Sequence, residues 1–171
     1  MMQNVLPLTF DTNRFAEIQT SELSENEQAS LVKLALAVLQ ERHQRGECLN
    51  SPKATRDYLH LLLSERRNEA FGALFLDSKH RLILCEERMF QGTLDGASIY
   101  PRVVVQRALA CNAAAVIFFH NHPSGVPEPS GADQAITQKL KDVLSLIDVR
   151  VLDHIVVGHE GTVSFAERGI L

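Results

Sequence analysis

Apolar and polar positions change their spacing several times along the chain, and each change marks an element. Residues 1–23 scatter Pro7, Thr9, Asp11 and Asn13 among apolar neighbours without a period, which reads as an irregular N-terminal arm. From Ser24 the spacing turns helical. Ser24 and Glu27 make the Ser-x-x-Glu of a capping box, and Leu31, Leu34, Leu36, Val38 and Leu39 follow, so a helical segment is expected over 24–46, closed by Gly46. Ser51-Pro52 sets a capping hydroxyl before a proline at the first helical position, and Tyr58, Leu61 and Leu62 give this second helix an apolar side as far as Arg66. AFGALFLD and RLILCEERMF then read as two strands, with Ser78-Lys79-His80 between them at hairpin spacing. Pro101 opens a third helix through VVVQRALACNA, and the unbroken apolar run AAAVIFFHNH reads as a buried strand. Ser130 starts a helix carrying Ile136, Leu140, Val143 and Leu146. RVLDHIVVGH and TVSFAERGIL read as the last two strands, around the turn Glu160-Gly161.

The order α-α-β-β-α-β-α-β-β, with helices between the middle strands, predicts an α/β domain whose mixed β-sheet is flanked by helices. That domain is expected over 47–171. A chain of 171 residues with 45% hydrophobic content suits one packed core. Its longest apolar stretch, Ala113 to Phe119, is far short of the roughly 20 residues that cross a bilayer, and MMQNVLPLTFDTNRF lacks a basic start and a long apolar segment. A cytoplasmic protein with no membrane partner is the expectation. Cys48, Cys85 and Cys111 are odd in number and form no Cys-x-x-Cys, which fits a reducing compartment, with Cys85 and Cys111 as small hydrophobes of a strand and a helix. The net charge is −4. Residues 1–50 hold seven acids against four Lys/Arg, and 51–171 hold fourteen against thirteen. Nucleic-acid binding is driven by clustered cations, and the tight cluster here is the pair Arg66-Arg67, so DNA is weakly supported as a partner.

The chemistry concentrates in FFHNHPSGVPEPSGADQ, residues 118 to 134. Side chains alternate along a strand, so His120 and His122 share a face and Asn121 takes the other. They sit at the carboxyl end of an apolar strand, where ligands of open α/β sheets collect. The loop PSGVPEPSGA, with three prolines and two glycines, is composed to be fixed and can bring the chain back to the histidines. Ser130 is placed as N-cap and Asp133 in the first turn after it. Ser-x-x-Asp is an ordinary capping pattern, and capping is compatible with coordination. Two imidazoles and a carboxylate, with one position left for water, would make a catalytic zinc (Zn2+) site.

HNHPSGVPEPSGAD resembles the H-x-H-x(7)-S-x-x-D signature of the JAMM (JAB/MPN) metalloproteases, and in its HNHPSG form it is similar to the bacterial RadC family. GTLDGASIYPRVVVQRAL before it and VLDHIVVGHEGTVSFAERGIL after it are also similar to RadC-type domains, so the likeness covers roughly 45–171. The resemblance implies a cytidine-deaminase-like JAB/MPN architecture, His120, His122 and Asp133 as zinc ligands, and Ser130 as a hydrogen-bonding residue for the water or the oxyanion. It also implies a glutamate general base on an earlier element. Glu69, at the head of AFGALFLD, matches that place, with Glu86 and Glu87 as rivals in the next strand. The activity implied is hydrolysis, a metal-activated water attacking a peptide or isopeptide carbonyl in a protein substrate. The alternative is a DNA-associated RadC-like factor, in DNA repair or as a metal-dependent nuclease.

Longer RadC proteins carry a helix-hairpin-helix segment ahead of this domain, and residues 1–50 lack its Gly-rich hairpin, so the sequence resembles the short, stand-alone members. The arm over 1–23 is a candidate for covering the cleft or docking a neighbouring subunit. His154, in LDHIVVG, is expected to make a structural hydrogen bond, with partnership to the metal ligands as the alternative. His43, His60, His80 and His159 fall on helix faces or turns without an obvious partner.

Overall fold

The computed structural model describes residues 18–44, 52–63, 66–91 and 99–171. The chain divides into two compact units, Met1–Ala35 and Leu36–Leu171. In the first, a 3-10 turn at Thr20–Glu22 precedes α1 (Glu25–Gln44), which begins there and ends in the second unit. The Ser24–Glu27 contact forms as the pattern predicts: the Ser24 amide and hydroxyl both donate to Glu27 Oε2, at 2.9 and 2.6 Å. Residues 1–17 of the expected arm, together with Ser51, Gly46 and Cys48, lie outside the described residues.

In the second unit α2 (Pro52–Leu63) is followed by β1 (Ala70–Leu76), β2 (Leu82–Gln91), α3 (Pro101–Ala110), β3 (Ala115–Asn121), α4 (Gly131–Ser145), β4 (Arg150–Gly158) and β5 (Gly161–Ser164). The strands form one sheet in the order β2-β1-β3-β4-β5. β3 and β4 run parallel because α4 crosses over between them, and every other pair is antiparallel. The mixed α/β architecture is the one the order of periodicities implies.

Alternation along the central strands divides the core between two faces. Phe71, Ala73 and Phe75 of β1 and Val116 and Phe118 of β3 pack with Val104 and Ala108 of α3 and Leu140 and Leu144 of α4. Leu74, Leu76, Ala115, Phe119, Ile155 and Val157 meet Tyr58, Leu59 and Leu63 of α2 on the opposite face. β1 is buried along its whole length, and β3 is buried except at Ile117. That is why these runs read as unbroken apolar stretches.

The chain after β5 departs from the pattern. TVSFAERGIL reads as one strand, but the strand ends at Ser164 and residues 165–169 form turns. Asp153 of β4 holds the turn that follows: its carboxylate accepts from the Ser164 hydroxyl at 2.6 Å and from the Ala166 amide at 3.0 Å, so that amide bonds to a side chain and not to a strand backbone. Phe165 then turns inward and is fully buried.

Candidate metal centre

The centre is built where β3 ends. Its antiparallel register with β1 pairs Phe71 with His120, and its parallel register with β4 pairs His120 with Val156. His120 points to the α3/α4 side of the sheet and is buried. Asn121 points the other way, as strand alternation requires. Its Oδ1 accepts from the Ala70 amide at 2.9 Å, and its Nδ2 donates to the carbonyls of Arg66 and Asn68, both at 3.2 Å. One buried amide therefore holds the backbone on both sides of Glu69.

The proline-rich loop returns as its composition suggests, and its backbone shows how. The His122 amide donates to Val157 O at 2.8 Å and Glu160 N donates to Gly125 O at 3.1 Å. Gly125 turns with φ +91°, a conformation glycine adopts at little cost. Gly158 lets the loop lie against β4, since a Cβ there would run into the Gly125 carbonyl. Val126 O reaches His122 Nδ1 at 3.0 Å, and because a carbonyl accepts only, Nδ1 carries the hydrogen and, in the neutral ring, Nε2 is left with its lone pair.

α4 supplies the third group. Ser130 caps it with a complete capping box: its Oγ accepts from the Asp133 amide at 3.1 Å, and its own amide donates back to Asp133 Oδ2 at 2.7 Å. The Ser130 hydroxyl also donates to Oδ2, at 2.6 Å, so it orients the carboxylate in this structure. Asp133 Oδ1 lies 3.3 Å from His120 Nε2, Oδ2 lies 3.5 Å from His122 Nε2, and the two Nε2 atoms are 2.9 Å apart. Among the described residues, His120, His122 and Asp133 are the group whose ligand atoms converge, all within 4.8 Å.

The electrostatics agree with a cation site. Burial works to raise the Asp133 carboxyl, but the imidazoles of His120 and His122 beside it and the Ser130 hydroxyl overcome it and hold the group well below the usual carboxylate range. His122 is pushed up, chiefly because its protonated ring would donate from Nε2 to Asp133, with a smaller push from the charge of Glu69. The donor set also fits zinc. Donors about 2.0–2.1 Å from a tetrahedral zinc are separated by roughly 3.3 Å; the two Nε2 atoms are 2.9 Å apart, and each meets a different oxygen of Asp133, at 3.3 and 3.5 Å, so a small turn of the carboxylate would bring one oxygen toward both.

Glu69 immediately precedes β1, whose pairing with β3 begins at Phe71/His120, and its charge acts on His122. Its rivals are engaged elsewhere: Glu86 pairs with Arg107 of α3 at 2.6 Å, and Glu87 pairs with Arg66 at 2.7 Å. A register shift between Phe71 and Ala73 separates these two glutamates from the His120 pairing. His154 meets His120 directly, with Nε2 2.8 Å from His120 Nδ1, so it is the alternative, partnership with a member of the cluster, that the structure bears out. Thr137 on α4, unmarked by any sequence motif, touches His154 Nδ1 at 2.5 Å. The signal for it was its place one helical turn after Asp133, on the same side of α4. His60, His80 and His159 are not in the cluster. Burial pushes the Cys85 thiol up to about 11 and also raises Cys111, so neither is an activated thiol.

Residues 49–170 match the family described as RadC-like JAB domain. A UPF0758 protein of Halorhodospira halophila is 57% identical over 144 residues, which make up 84% of this chain and 63% of that protein. A UPF0758 protein of Methylibium petroleiphilum is 55% identical over 145 residues, 85% of this chain and 65% of the relative. The chain thus spans less than two thirds of either. A UPF0758 protein of Vibrio cholerae is 57% identical over 137 residues, 80% of this chain and 85% of that protein.

Proposed function

The chain belongs to the family of RadC-like JAB domains, and from that premise we propose that it is a zinc-dependent hydrolase of JAMM type acting on a peptide or isopeptide bond. The observation that carries the reading is the convergence of two imidazole Nε2 atoms and one carboxylate at the end of β3. His120, His122 and Asp133 would hold the ion. Bound zinc supplies Lewis-acid polarisation of a carbonyl and of a water molecule. Glu69 then takes a proton from the attacking water and returns it to the leaving amine as the C–N bond breaks. Ser130 keeps Asp133 in place through the capping box, and its hydroxyl would have to turn from Oδ2 to reach a developing oxyanion. A DNA-binding reading draws no support from a net charge of −4 or from Arg66, which is paired with Glu87.

The test is metal content by plasma mass spectrometry on protein purified without chelator or metal-affinity resin. Wild type is expected to carry about one zinc per chain, the open three-ligand stoichiometry, and His122→Ala and Asp133→Ala are expected to lose it. Glu69→Gln should keep the zinc while hydrolysis of peptide or isopeptide conjugates falls by about 10²- to 10⁴-fold, the usual worth of a general base. Wild type that stays metal-free when zinc is offered would sink the proposal. Undiminished turnover in Glu69→Gln would remove Glu69 from it.

A further inference from the structure

Thr137 and His154 have no place in the reading above, yet both are buried and form a continuous line behind His120. Thr137 Oγ1 lies 2.5 Å from the Asp133 carbonyl oxygen and 2.5 Å from His154 Nδ1. His154 Nε2 lies 2.8 Å from His120 Nδ1. The first link sets the direction of the rest. A carbonyl oxygen can only accept, so the Thr137 hydroxyl hydrogen goes to Asp133 O, the i−4 bond common for threonine inside a helix. Its oxygen then offers lone pairs, and His154 must bring the hydrogen on Nδ1. An uncharged imidazole with its hydrogen on Nδ1 has a bare Nε2, which accepts from His120 Nδ1–H. His120 is left with a bare Nε2, the atom 2.9 Å from His122 Nε2 and 3.3 Å from Asp133 Oδ1.

We infer that Thr137 and His154 are positioning residues that fix the tautomer of His120 and so present its Nε2 lone pair to the ion. The inference rests on the metal-centre reading and deepens it. Reversing the first link, with the hydroxyl donating to His154, would move each hydrogen to the other ring nitrogen and turn an N–H of His120 toward the cation. The line also ties two donors to one helix: α4 carries Asp133 itself and, one turn later, the residue that orients His120. Partners of this kind hold a ligand ring in place and raise its basicity, and losing one lowers metal affinity about 10- to 100-fold.

The experiment combines histidine-ring ¹⁵N NMR of the metal-free full chain at pH 8 with zinc titration against a competing chelator. Wild type should show His120 and His154 both as Nδ1–H tautomers. Thr137→Val, which keeps the shape and removes the hydroxyl, should lose that preference at both rings and bind zinc about 10- to 100-fold more weakly. Thr137→Ser should restore both. His154 found as the Nε2–H tautomer in wild type, or Thr137→Val matching wild type in tautomers and affinity, would overturn the inference. If wild type takes up no zinc, the hydrolase reading fails separately, and the ring tautomers of the metal-free protein still decide the relay.

Discussion

His154 is enclosed by Phe71, Phe118 and Phe165, with ring centroids 5.5, 6.2 and 4.8 Å away, and its loss of water disfavours the charged form. Burial and the neighbouring His120 and His122 lower its pKa well below 6.5, while Asp133 opposes them. The unfolded chain therefore binds a proton on this residue that the folded chain refuses. Its contribution to stability is present above pH 6.5 and is lost as pH falls toward the depressed value, by up to about 1.4 kcal/mol per pH unit. His122 has the opposite sign, since its raised pKa confines its effect to the range above 6.5, and the lowered Asp133 acts only below 3.8. Between those limits, urea unfolding of the metal-free protein should show stability falling with pH, with a shallower slope in His154→Gln. Parallel slopes would mean that His154 is protonated in the fold.

Within the sheet, β1 carries most of what aligns the centre. It pairs with β3 from Phe71/His120 to Leu76/Ala115, so the position of Glu69 relative to His122 depends on that register. Gly72 sits at the register shift toward β2, where a Cβ would run into the Phe119 ring and the Glu86 carbonyl. A backbone carbonyl cannot move aside as a flexible side chain does, so Gly72→Ala forces either β2 or Phe119 outward. We expect a loss of about 1–3 kcal/mol, the range for overpacked cores, read as a lower urea midpoint with an unchanged slope. A variant as stable as wild type would show that the sheet absorbs a methyl group there.

Over the whole molecule, an ion held by His120, His122 and Asp133 would be coupled to folding, because the three donors come from two elements that only the packed sheet and α4 bring together. An ion that binds the folded chain and not the unfolded one adds about 2.7 kcal/mol of stability at a concentration 100 times its Kd. For a domain of this size that is a rise in Tm on the order of 10 °C. Scanning calorimetry with chelator and with added zinc should show the rise in wild type and none in Asp133→Ala. Equal melting temperatures in wild type would argue against a site that closes on the ion. Among the described residues no helix is long and apolar enough to cross a membrane.

The amino-acid sequence by itself determined the elements and their order. Burial on both faces needs unbroken apolar runs, as in β1 and β3, and proline or a capping pair marks where helices α2, α3 and α4 begin. It also determined that His120, His122 and Asp133 lie near one another, because the strand period, a short rigid loop and a helix first turn are all local in the chain. What lies far along the chain was decided by tertiary structure alone. His154 is 34 residues from His120, and only the parallel β3/β4 pairing sets it at His120 Nδ1. The place of Thr137 one turn after Asp133 is local, but its partner His154 is across the interface between α4 and β4. Asn121 grips the segment around Glu69 from more than fifty residues away. The turn after β5 is likewise held from a distance: the Asp153 carboxylate on the neighbouring strand accepts from the Ser164 hydroxyl and the Ala166 amide. Periodicity records which face a residue takes. Which partner waits on that face is set by packing between segments distant in sequence.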